Sequence, residues 1–499
     1  MAVAARVFTS LVTALLSAGV ALAFAPGCGT SSSTFTPGDA VDGSIPDGTI
    51  GPNPFADGGT GGPCTGLACQ VDKNCGNAGP TTLTGTVFAP NGTLPLYNAV
   101  VFVPNAPLDP IPEGPSCDHC GNVSGQPIAA TLTDTSGHFE LKNVPYGTDI
   151  PLVVQIGKWR REIKIANVPR CASTPVDKTM TRLPKNQSEG HIPKIAVTTG
   201  VCDHLACLLP KLGLDASEYS SNTGPGRLHL YQGSGDTCAA MLPDAGADAG
   251  GSCTGAPAPA PSGTPSASTL WKDYDSLKRY DMVILSCECN EHNEMKPDSA
   301  KLALYDYAKA GGRVFASHFH YTWFQNSPVQ DLKDLATWVG DSPFGHALGG
   351  TERTPSGNFL VDQSFPKGQA LADWLVNVAA STTKGEIPIN QPRADVVGVN
   401  KAKGATRWVY NAPDGLPETT KYLSFNAPVD QPVENQCGKV VFGDMHITGQ
   451  LTTTLPDNKF PASCPTVLTP EEKALIFLFF DLASCVQKED EPPPVPVIK

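Results

Sequence analysis

The chain has 499 residues, with 35 Lys and Arg against 48 Asp and Glu, and a formal net charge of −13. This acidic balance disfavours nucleic acids and anionic membrane surfaces as partners. The 49 Gly and 47 Pro predict that part of the chain is linker, whereas 40% hydrophobic residues exclude disorder throughout. Sixteen cysteines argue against a reducing compartment unless they bind metal.

The N-terminus has the pattern of an export signal. Arg6 precedes an apolar run over residues 7–22, and Ala-Leu-Ala at 21–23 fits a small-x-small cleavage site. Residues 25–28, Ala-Pro-Gly-Cys, resemble a bacterial lipobox, which implies that Cys28 is lipidated and becomes the new N-terminus. Plain secretion with cleavage after residue 23 is the alternative. We therefore predict a signal peptide over 1–27.

A polar segment follows the export signal. Residues 28–75 are rich in Gly, Ser, Thr, Pro and Asp, which predicts a disordered stalk. The mature protein is expected outside the cytoplasm, as an outer-membrane or cell-surface lipoprotein, or else periplasmic or secreted. A lipid anchor would be its contact with the membrane, because no later stretch has the about 20 apolar residues of a spanning helix.

The cysteines predict a disulfide framework whose connectivity the sequence does not fix. Cys238 and Cys253 bracket an Ala/Gly/Asp tract, so a local bridge is expected there. Cys117 and Cys120 have the spacing of half a zinc site or of a redox pair, but an exported protein favours a disulfide role. They are expected to fix their loop to the adjacent strands through Cys75 and Cys171. Bridges between two strand ends are expected among Cys202, Cys207, Cys287 and Cys289.

Residues 76–185 predict an all-β sandwich. Residues 81–88 alternate polar and apolar, and turn signals recur every 8–12 residues. The segments GTV at 85–87, AVVFV at 99–103, TDTSGHFEL at 133–141 and VPYG at 144–147 resemble the carboxypeptidase-regulatory-like domain, a transthyretin-like sandwich. The resemblance implies an accessory module linked with carbohydrate binding. The chain has no H-x-x-E motif of a catalytic carboxypeptidase.

Residues 190–486 alternate short apolar strands with helical segments, which predicts a doubly wound, flavodoxin-like parallel sheet. A final helix begins at Pro470, with Thr469 and Glu472 placed as a capping box. An Ala/Gly/Pro/Ser-rich insert at 239–269 and the tail at 487–499 are predicted to be disordered. The expected fold class is thus multidomain, a sandwich followed by an α/β domain.

Three segments of the second domain resemble the ThuA-like branch of the class I glutamine-amidotransferase-like fold: YDMVIL at 280–285, AKAGGRVFASH at 308–318 and CGKVVFGDMH at 437–446. Where an amidotransferase has its G-x-C-x-G nucleophile, residues 315–320 read FASHFH. Glutamine hydrolysis is therefore not expected. ThuA-like chains tend to have a histidine at this point, which His318 matches, and the resemblance implies carbohydrate-linked roles.

Polar side chains collect where four of the predicted parallel strands end, at the sheet edge where ligands bind in open α/β folds. The candidate ligand or metal residues are Asp203, His204, Glu288, His292, His318, His320, Asp444 and His446. Such imidazoles and carboxylates would hold zinc or another divalent ion, or supply an acid–base pair. Alternatively, the histidines are hydrogen-bonded loop residues, and the aromatic run Tyr321, Trp323 and Phe324 is core rather than a sugar platform.

The favoured function is that of an exported cell-envelope protein, without catalysis, that binds or assembles an envelope or extracellular polysaccharide. The alternative is a metal-assisted hydrolase or isomerase acting on a carbohydrate at His318, His320, Asp444 and His446. Convergence of these side chains on an open cleft favours the enzyme, and their dispersal favours the binding protein.

Overall fold

The computed structural model describes residues 64–235, 256–257, 260–340, 356–412, 418–447, 460–461 and 464–498. The export signal, Cys28, Cys238, Cys253 and residues 239–255 of the predicted insert lie outside this set. All described residues belong to one unit, Pro63–Lys499. Within them, no helix has the length and apolar character needed to cross a membrane.

Two antiparallel-rich sheets form the N-terminal part. Their strands are β1 (Thr82–Thr86), β2 (Val100–Pro104), β3 (Pro127–Leu132), β4 (His138–Lys142), β5 (Gly147–Ile156), β6 (Trp159–Val168) and β7 (Ser173–Pro175). One sheet has the order β3–β2–β5–β6 and the other β4–β1–β7. Alternating burial along β4, from His138 to Lys142, shows why these segments form strands with one face on the core.

A ten-stranded sheet forms the second part, in the order β17–β16–β19–β20–β21–β14–β13–β8–β10–β9. Its strands are β8 (Ile195–Thr198), β9 (Tyr219–Ser220), β10 (Leu228–Tyr231), β13 (Met282–Leu285), β14 (Arg313–Ser317), β16 (Gly357–Val361), β17 (Glu386–Ile389), β19 (Thr406–Asn411), β20 (Thr419–Ala427) and β21 (Gly438–Gly443). Short two-stranded pairs are β11 (Ser234–Gly235) with β12 (Ala256–Pro257), and β15 (Ala336–Trp338) with β18 (Val396–Val399).

The large sheet is mixed rather than purely parallel. Strands β9, β10, β8, β13, β14 and β21 pair in parallel, whereas β20, β19, β16 and β17 continue from β21 in antiparallel pairing. The central parallel strands are continuous apolar runs buried on both faces, as the sequence predicts for such strands. The antiparallel extension corrects the expectation of a parallel sheet.

Eight α-helices and eight 3-10 helices lie in the described residues. The α-helices are α1 (Leu208–Lys211), α2 (Ser268–Trp271), α3 (Tyr274–Leu277), α4 (Asp298–Lys309), α5 (Thr322–Gln325), α6 (Gln330–Lys333), α7 (Pro366–Asn377) and α8 (Pro470–Ala483). The 3-10 helices are Gly66–Gln70, Gly76–Ala78, Leu205–Cys207, Ala216–Glu218, Asn293–Met295, His318–Tyr321, Lys401–Lys403 and Val433–Asn435. Helix α2 begins inside the segment predicted to be a disordered insert.

Helix α8 connects the two parts. Thr469 and Glu472 form the expected capping box, with Oγ1 of Thr469 accepting from the Glu472 N–H at 3.2 Å. Its aromatic side chains pack against both sheet systems: Phe477 stacks on Tyr97 at 5.6 Å between centroids and contacts Trp374. The sandwich and the large sheet therefore share one hydrophobic core through this helix.

The residues after α8 are part of the fold, contrary to the disordered tail expected over 487–499. The carboxylate of Glu489 lies 3.0 Å from Nζ of Lys367 and 2.9 Å from Nζ of Lys439. Asp481 contacts the same two lysines at 2.8 and 3.0 Å. The reason is electrostatic, because two buried ammonium groups need two carboxylates close by.

Among the described residues, six disulfides join twelve cysteines: Cys64–Cys69, Cys75–Cys171, Cys117–Cys437, Cys120–Cys485, Cys202–Cys289 and Cys207–Cys464. Such a set is typical of an oxidising, extracytoplasmic compartment. The expected link from Cys117 and Cys120 to Cys75 and Cys171 is wrong. Their loop packs instead against the end of α8, where the Cys120 N–H donates to the Val486 carbonyl at 3.2 Å.

The expected disulfide role of Cys287 is also wrong. This thiol is buried and forms no disulfide. Cys289, two residues later in the chain, is bonded to Cys202. Cys207 bonds to Cys464 rather than to the strand end that carries Cys287. The sulfur of Cys287 instead faces the imidazoles of His318 and His446.

Candidate metal centre

Three neighbouring parallel strands end at one edge of the large sheet. In the pairing of β13 with β14, Leu285 faces Ala316, and in that of β14 with β21, Ser317 faces Gly443. The residues that follow therefore leave the sheet at the same level. These are Cys287 after β13, His318 after β14 and His446 after β21.

The three side chains converge. The Sγ atom of Cys287 lies 3.3 Å from Nδ1 of His318 and 3.7 Å from Nε2 of His446. The two ring nitrogens are 3.0 Å apart. All three residues are buried, with relative exposures of 0%, 1% and 7%.

These distances fit the corners of a metal coordination shell. With Zn–S bonds of about 2.3 Å and Zn–N bonds of about 2.0–2.1 Å, tetrahedral geometry places sulfur and nitrogen about 3.6 Å apart and two nitrogens about 3.3 Å apart. The observed triangle agrees with those edges to within a few tenths of an ångström. One thiolate and two imidazoles are a donor set suited to zinc, which takes four ligands in tetrahedral sites.

The second nitrogen of each imidazole lies beside polar side chains. Nε2 of His318 lies 3.2 Å from a carboxylate oxygen of Asp395. Nδ1 of His446 lies 3.0 Å from Oε1 of Gln391 and 2.9 Å from a guanidinium nitrogen of Arg393. The carboxylate beside Nε2 of His318 favours the tautomer that leaves Nδ1 of this ring for a metal ion. At Nδ1 of His446, the amide oxygen of Gln391 can accept a hydrogen bond, whereas the guanidinium of Arg393 can only donate one.

Two of the predicted ligands support the site instead of facing its centre. Asp444 accepts from the backbone N–H groups of Asp395 and Val396 at 3.0 and 3.3 Å, and lies 3.8 Å from Nζ of Lys421. It thereby positions the carboxylate that faces His318. Asp203 accepts from the Ser317 hydroxyl and from the Ile447 N–H, so it ties together the ends of two strands.

The remaining predicted ligands are dispersed. His320 donates from Nε2 to the Ser286 carbonyl at 2.8 Å, and its Nδ1 accepts from the Trp323 indole at 2.9 Å. Glu288 forms a buried ion pair with Lys296 at 2.6 Å. His292 lies beside Glu294 at 3.2 Å. Burial lowers the pKa of His204 to about 4.

The aromatic run beside the site belongs to the core. Tyr321, Trp323 and Phe324 are all buried, and Trp323 packs edge-on against Trp271 at 5.3 Å. The core interpretation of these residues is therefore correct, and they offer no platform to a sugar.

Burial holds the Cys287 thiol and the His318 imidazole in their neutral forms. Burial, with the nearby charge of Asp203, raises the pKa of the Cys287 thiol. Burial, with the positive charge of Arg393, holds the pKa of His318 well below its usual range. A divalent ion at the triangle would displace the thiol proton, because a coordinating thiol is deprotonated by the metal. Burial also lowers the pKa of the neighbouring Lys421 to about 8.

A separate cleft of about 430 Å³ lies at the sandwich. The 109–124 loop, the β5–β6 hairpin and the tail at 493–496 enclose it, and its polar side chains include Asp109, His119, Asn122, Gln155 and Arg160. Its volume is within the range of about 300–1,000 Å³ that small-molecule sites occupy.

Among the solved structures that are similar to this chain are a ThuA-like protein and two cohesin–X-dockerin complexes. No protein-family model and no curated protein matches the chain. A ThuA-like protein from Bacteroides uniformis is 10% identical, covers 57% of this chain and 89% of its own, and has a TM-score of 0.27. Two cohesin–X-dockerin complexes from Acetivibrio cellulolyticus are 17% and 14% identical, each covering 29% of this chain and 78% of theirs, with TM-scores of 0.14 and 0.15. At these values the comparisons assign no family.

Proposed function

We propose that this protein is an exported metalloprotein whose ten-stranded sheet binds one divalent transition-metal ion, zinc by preference. Cys287, His318 and His446 would be its ligands. The triangle of donor atoms, with sides of 3.0, 3.3 and 3.7 Å, is the observation that carries this proposal.

Binding through three protein ligands would leave the fourth position of the ion to water or substrate, which favours a catalytic role. Three protein ligands and one exchangeable position are the pattern of catalytic zinc, which lowers the pKa of a bound water to about 7. The reaction class is metal-assisted hydrolysis or isomerisation. The resemblance of the 280–446 segments to ThuA-like chains, which implies carbohydrate-linked roles, supports a carbohydrate as the substrate.

Metal content of the purified full-length protein tests the site. We expect about one zinc ion per chain, and a loss of affinity of at least about 100-fold in each of Cys287→Ser, His318→Ala and His446→Ala. His292→Ala is the matched control, because this histidine lies outside the triangle, and it should bind zinc normally. Wild-type protein without zinc, or site variants that keep it, would contradict the proposal.

Activity separates a catalytic ion from a structural one. Zinc-loaded protein should release reducing ends from a panel of polysaccharides, and His318→Ala should not. Full zinc occupancy without turnover on any glycan would indicate a structural metal site and contradict the proposed hydrolase activity.

Polysaccharide binding is a second candidate, which the 430 Å³ cleft at the sandwich favours. This proposal includes the carboxypeptidase-regulatory-like identity of residues 76–185. A glycan array should show binding that Arg160→Ala weakens, because Arg160 lies in the cleft lining. Binding to no envelope polysaccharide would count against it.

Lipidation of Cys28 is the anchor we propose for the exported chain. Cys28→Ser should move the protein from the membrane fraction to the soluble fraction. Unchanged membrane association would refute the lipid anchor and leave plain secretion or another attachment.

A further inference from the structure

The free thiol of the proposed site lies beside a disulfide. The sulfur atoms of Cys287 and Cys202 and a ring nitrogen of His446 all lie within 4.8 Å of one another. Cys202 is bonded to Cys289, two residues after Cys287. The sulfur of Cys202, which is bonded to Cys289, thus also lies close to the free thiol of Cys287.

The backbone holds the two chain segments together. The N–H of Cys202 donates to the carbonyl of Cys287 at 3.2 Å. Gly200 approaches the same carbonyl so closely that a Cβ atom there would lie 2.1 Å from its oxygen. A disulfide needs Cα atoms about 4.4–6.8 Å apart. The backbone hydrogen bond makes Cys202 and Cys287 direct neighbours, as this requirement demands.

The present partner occupies a costly conformation. Cys289 has a φ of 66°, in the left-handed region that residues with a Cβ rarely adopt. Exchange would release Cys289 from the bond to Cys202, which is one of the constraints on this conformation.

We infer that metal binding and disulfide pairing compete at Cys287, an inference that rests on the proposed metal site. Without metal, the sulfur of Cys287 attacks Cys202, a Cys202–Cys287 bond forms, and the Cys202–Cys289 bond breaks. The proton of Cys287 is transferred to the released Cys289 sulfur, so that atoms and charge balance. No oxidant is consumed. Bound metal holds Cys287 and blocks the exchange, and the exchanged form has lost one ligand.

Disulfide mapping by mass spectrometry of the full-length protein tests this competition. Metal-stripped protein incubated at pH 8 should accumulate a peptide linked through Cys202 and Cys287, and zinc-loaded protein should not. The Cys289→Ser variant should contain that linkage as purified and bind zinc at least roughly tenfold more weakly. The double variant Cys202→Ser/Cys289→Ser should bind zinc again, because Cys287 then has no sulfur to bond.

The double variant also controls for the lost disulfide, since both variants lack Cys202–Cys289. Cys69→Ser, which frees Cys64 away from the site, should leave zinc binding unchanged. Normal zinc binding by Cys289→Ser, or no Cys202–Cys287 peptide in metal-stripped wild-type protein, would overturn this inference. Neither result would contradict the proposed metal site. Failure of wild-type protein to bind zinc would overturn the proposed function, and the peptide map would still report whether the thiol exchanges.

Discussion

At the scale of single residues, the site depends on where each histidine points as its strand ends. His318 and His320 follow the same strand, and both are 1% exposed. His318 has a φ of 42°, in the left-handed region, and faces Cys287 and His446. His320 points to the Ser286 carbonyl and the Trp323 indole. Equal burial with different partners makes the two histidines a matched pair.

Alanine at either position should reduce stability, because each removes buried hydrogen-bonding partners at a cost of about 1–3 kcal/mol. His318→Ala should also lose zinc, whereas His320→Ala should keep it. His318 is 1% exposed, so its removal also takes contacts from the core. Thermal melts with and without zinc check this: added zinc should raise the melting temperature of His320→Ala but not of His318→Ala. The reverse pattern would place the ligand at His320.

His229 gives the protein a predictable sensitivity to acid. It is buried on β10, bonded to the Tyr280 hydroxyl at 2.9 Å and the Gly226 carbonyl at 3.1 Å, and burial lowers its pKa to about 4. In the unfolded chain this imidazole binds a proton near its ordinary pKa of 6.5, whereas in the folded chain it does so only near pH 4. Its contribution to stability is therefore complete above about pH 6.5 and is lost as the pH falls towards 4.

The contribution of His229 should fall by at most about 1.4 kcal/mol per pH unit within that window. His229→Phe preserves the edge-on ring contact with Tyr280 and removes the titrating group. Its melting temperature should change less between pH 7 and pH 5 than that of the wild type. Identical slopes in the two proteins would contradict the assignment.

At the scale of elements, α8 and the segment after it hold a buried cluster of four charges. Lys367 comes from α7, Lys439 from β21, Asp481 from α8 and Glu489 from the tail. The two lysines lower the pKa of Asp481 to about 2, even though burial alone would raise it. The cluster thus fixes the C-terminal segment to two other elements.

Removing one carboxylate should therefore destabilise the fold. Glu489→Gln leaves two buried ammonium groups with one carboxylate, a loss expected to cost about 3 kcal/mol. Asp490→Asn is the control, because this neighbour lies outside the charge cluster. Urea unfolding of both variants measures the difference. A Glu489→Gln variant as stable as Asp490→Asn would show that the tail is not held by this cluster.

At the scale of the whole molecule, the sandwich and the large sheet are joined by packing and by covalent bonds. Trp159 of β6 packs against Phe479 and Phe480 of α8 at 6.4 and 6.0 Å between centroids. The disulfides Cys117–Cys437 and Cys120–Cys485 link the loop between β2 and β3 to the second part. A shared core predicts that neither part unfolds alone.

Calorimetry should therefore give one thermal transition for the described fold. Replacing Cys117 and Cys120 with serine, together with their partners, should lower its temperature, because each lost disulfide typically costs about 2–5 kcal/mol. The transition should remain single, since the contacts of α8 are untouched. Two resolved transitions in the wild type would show that the parts are independent.

Local features of the sequence determined much of the framework. The apolar runs at 281–285, 313–316 and 439–442 form β13, β14 and β21, and Thr469 caps α8 as its spacing predicts. These signals could be interpreted without the fold because a buried strand and a helix cap depend on residues close in sequence. The strand-end edge that gathers His318 and His446 follows from the same local alternation.

Only the tertiary structure decided which of those side chains meet. Cys287 and Cys289 lie two residues apart, and nothing in the sequence distinguishes their roles. In the structure, Cys289 is bonded to Cys202 and Cys287 faces two histidines. His320 and Glu288 were predicted beside His318 and found other partners. The physical reason is that disulfide partners, ligand triangles and charge clusters join residues up to hundreds of positions apart. Their choice depends on strand order, on register and on the direction in which the backbone leaves each strand, none of which is encoded locally.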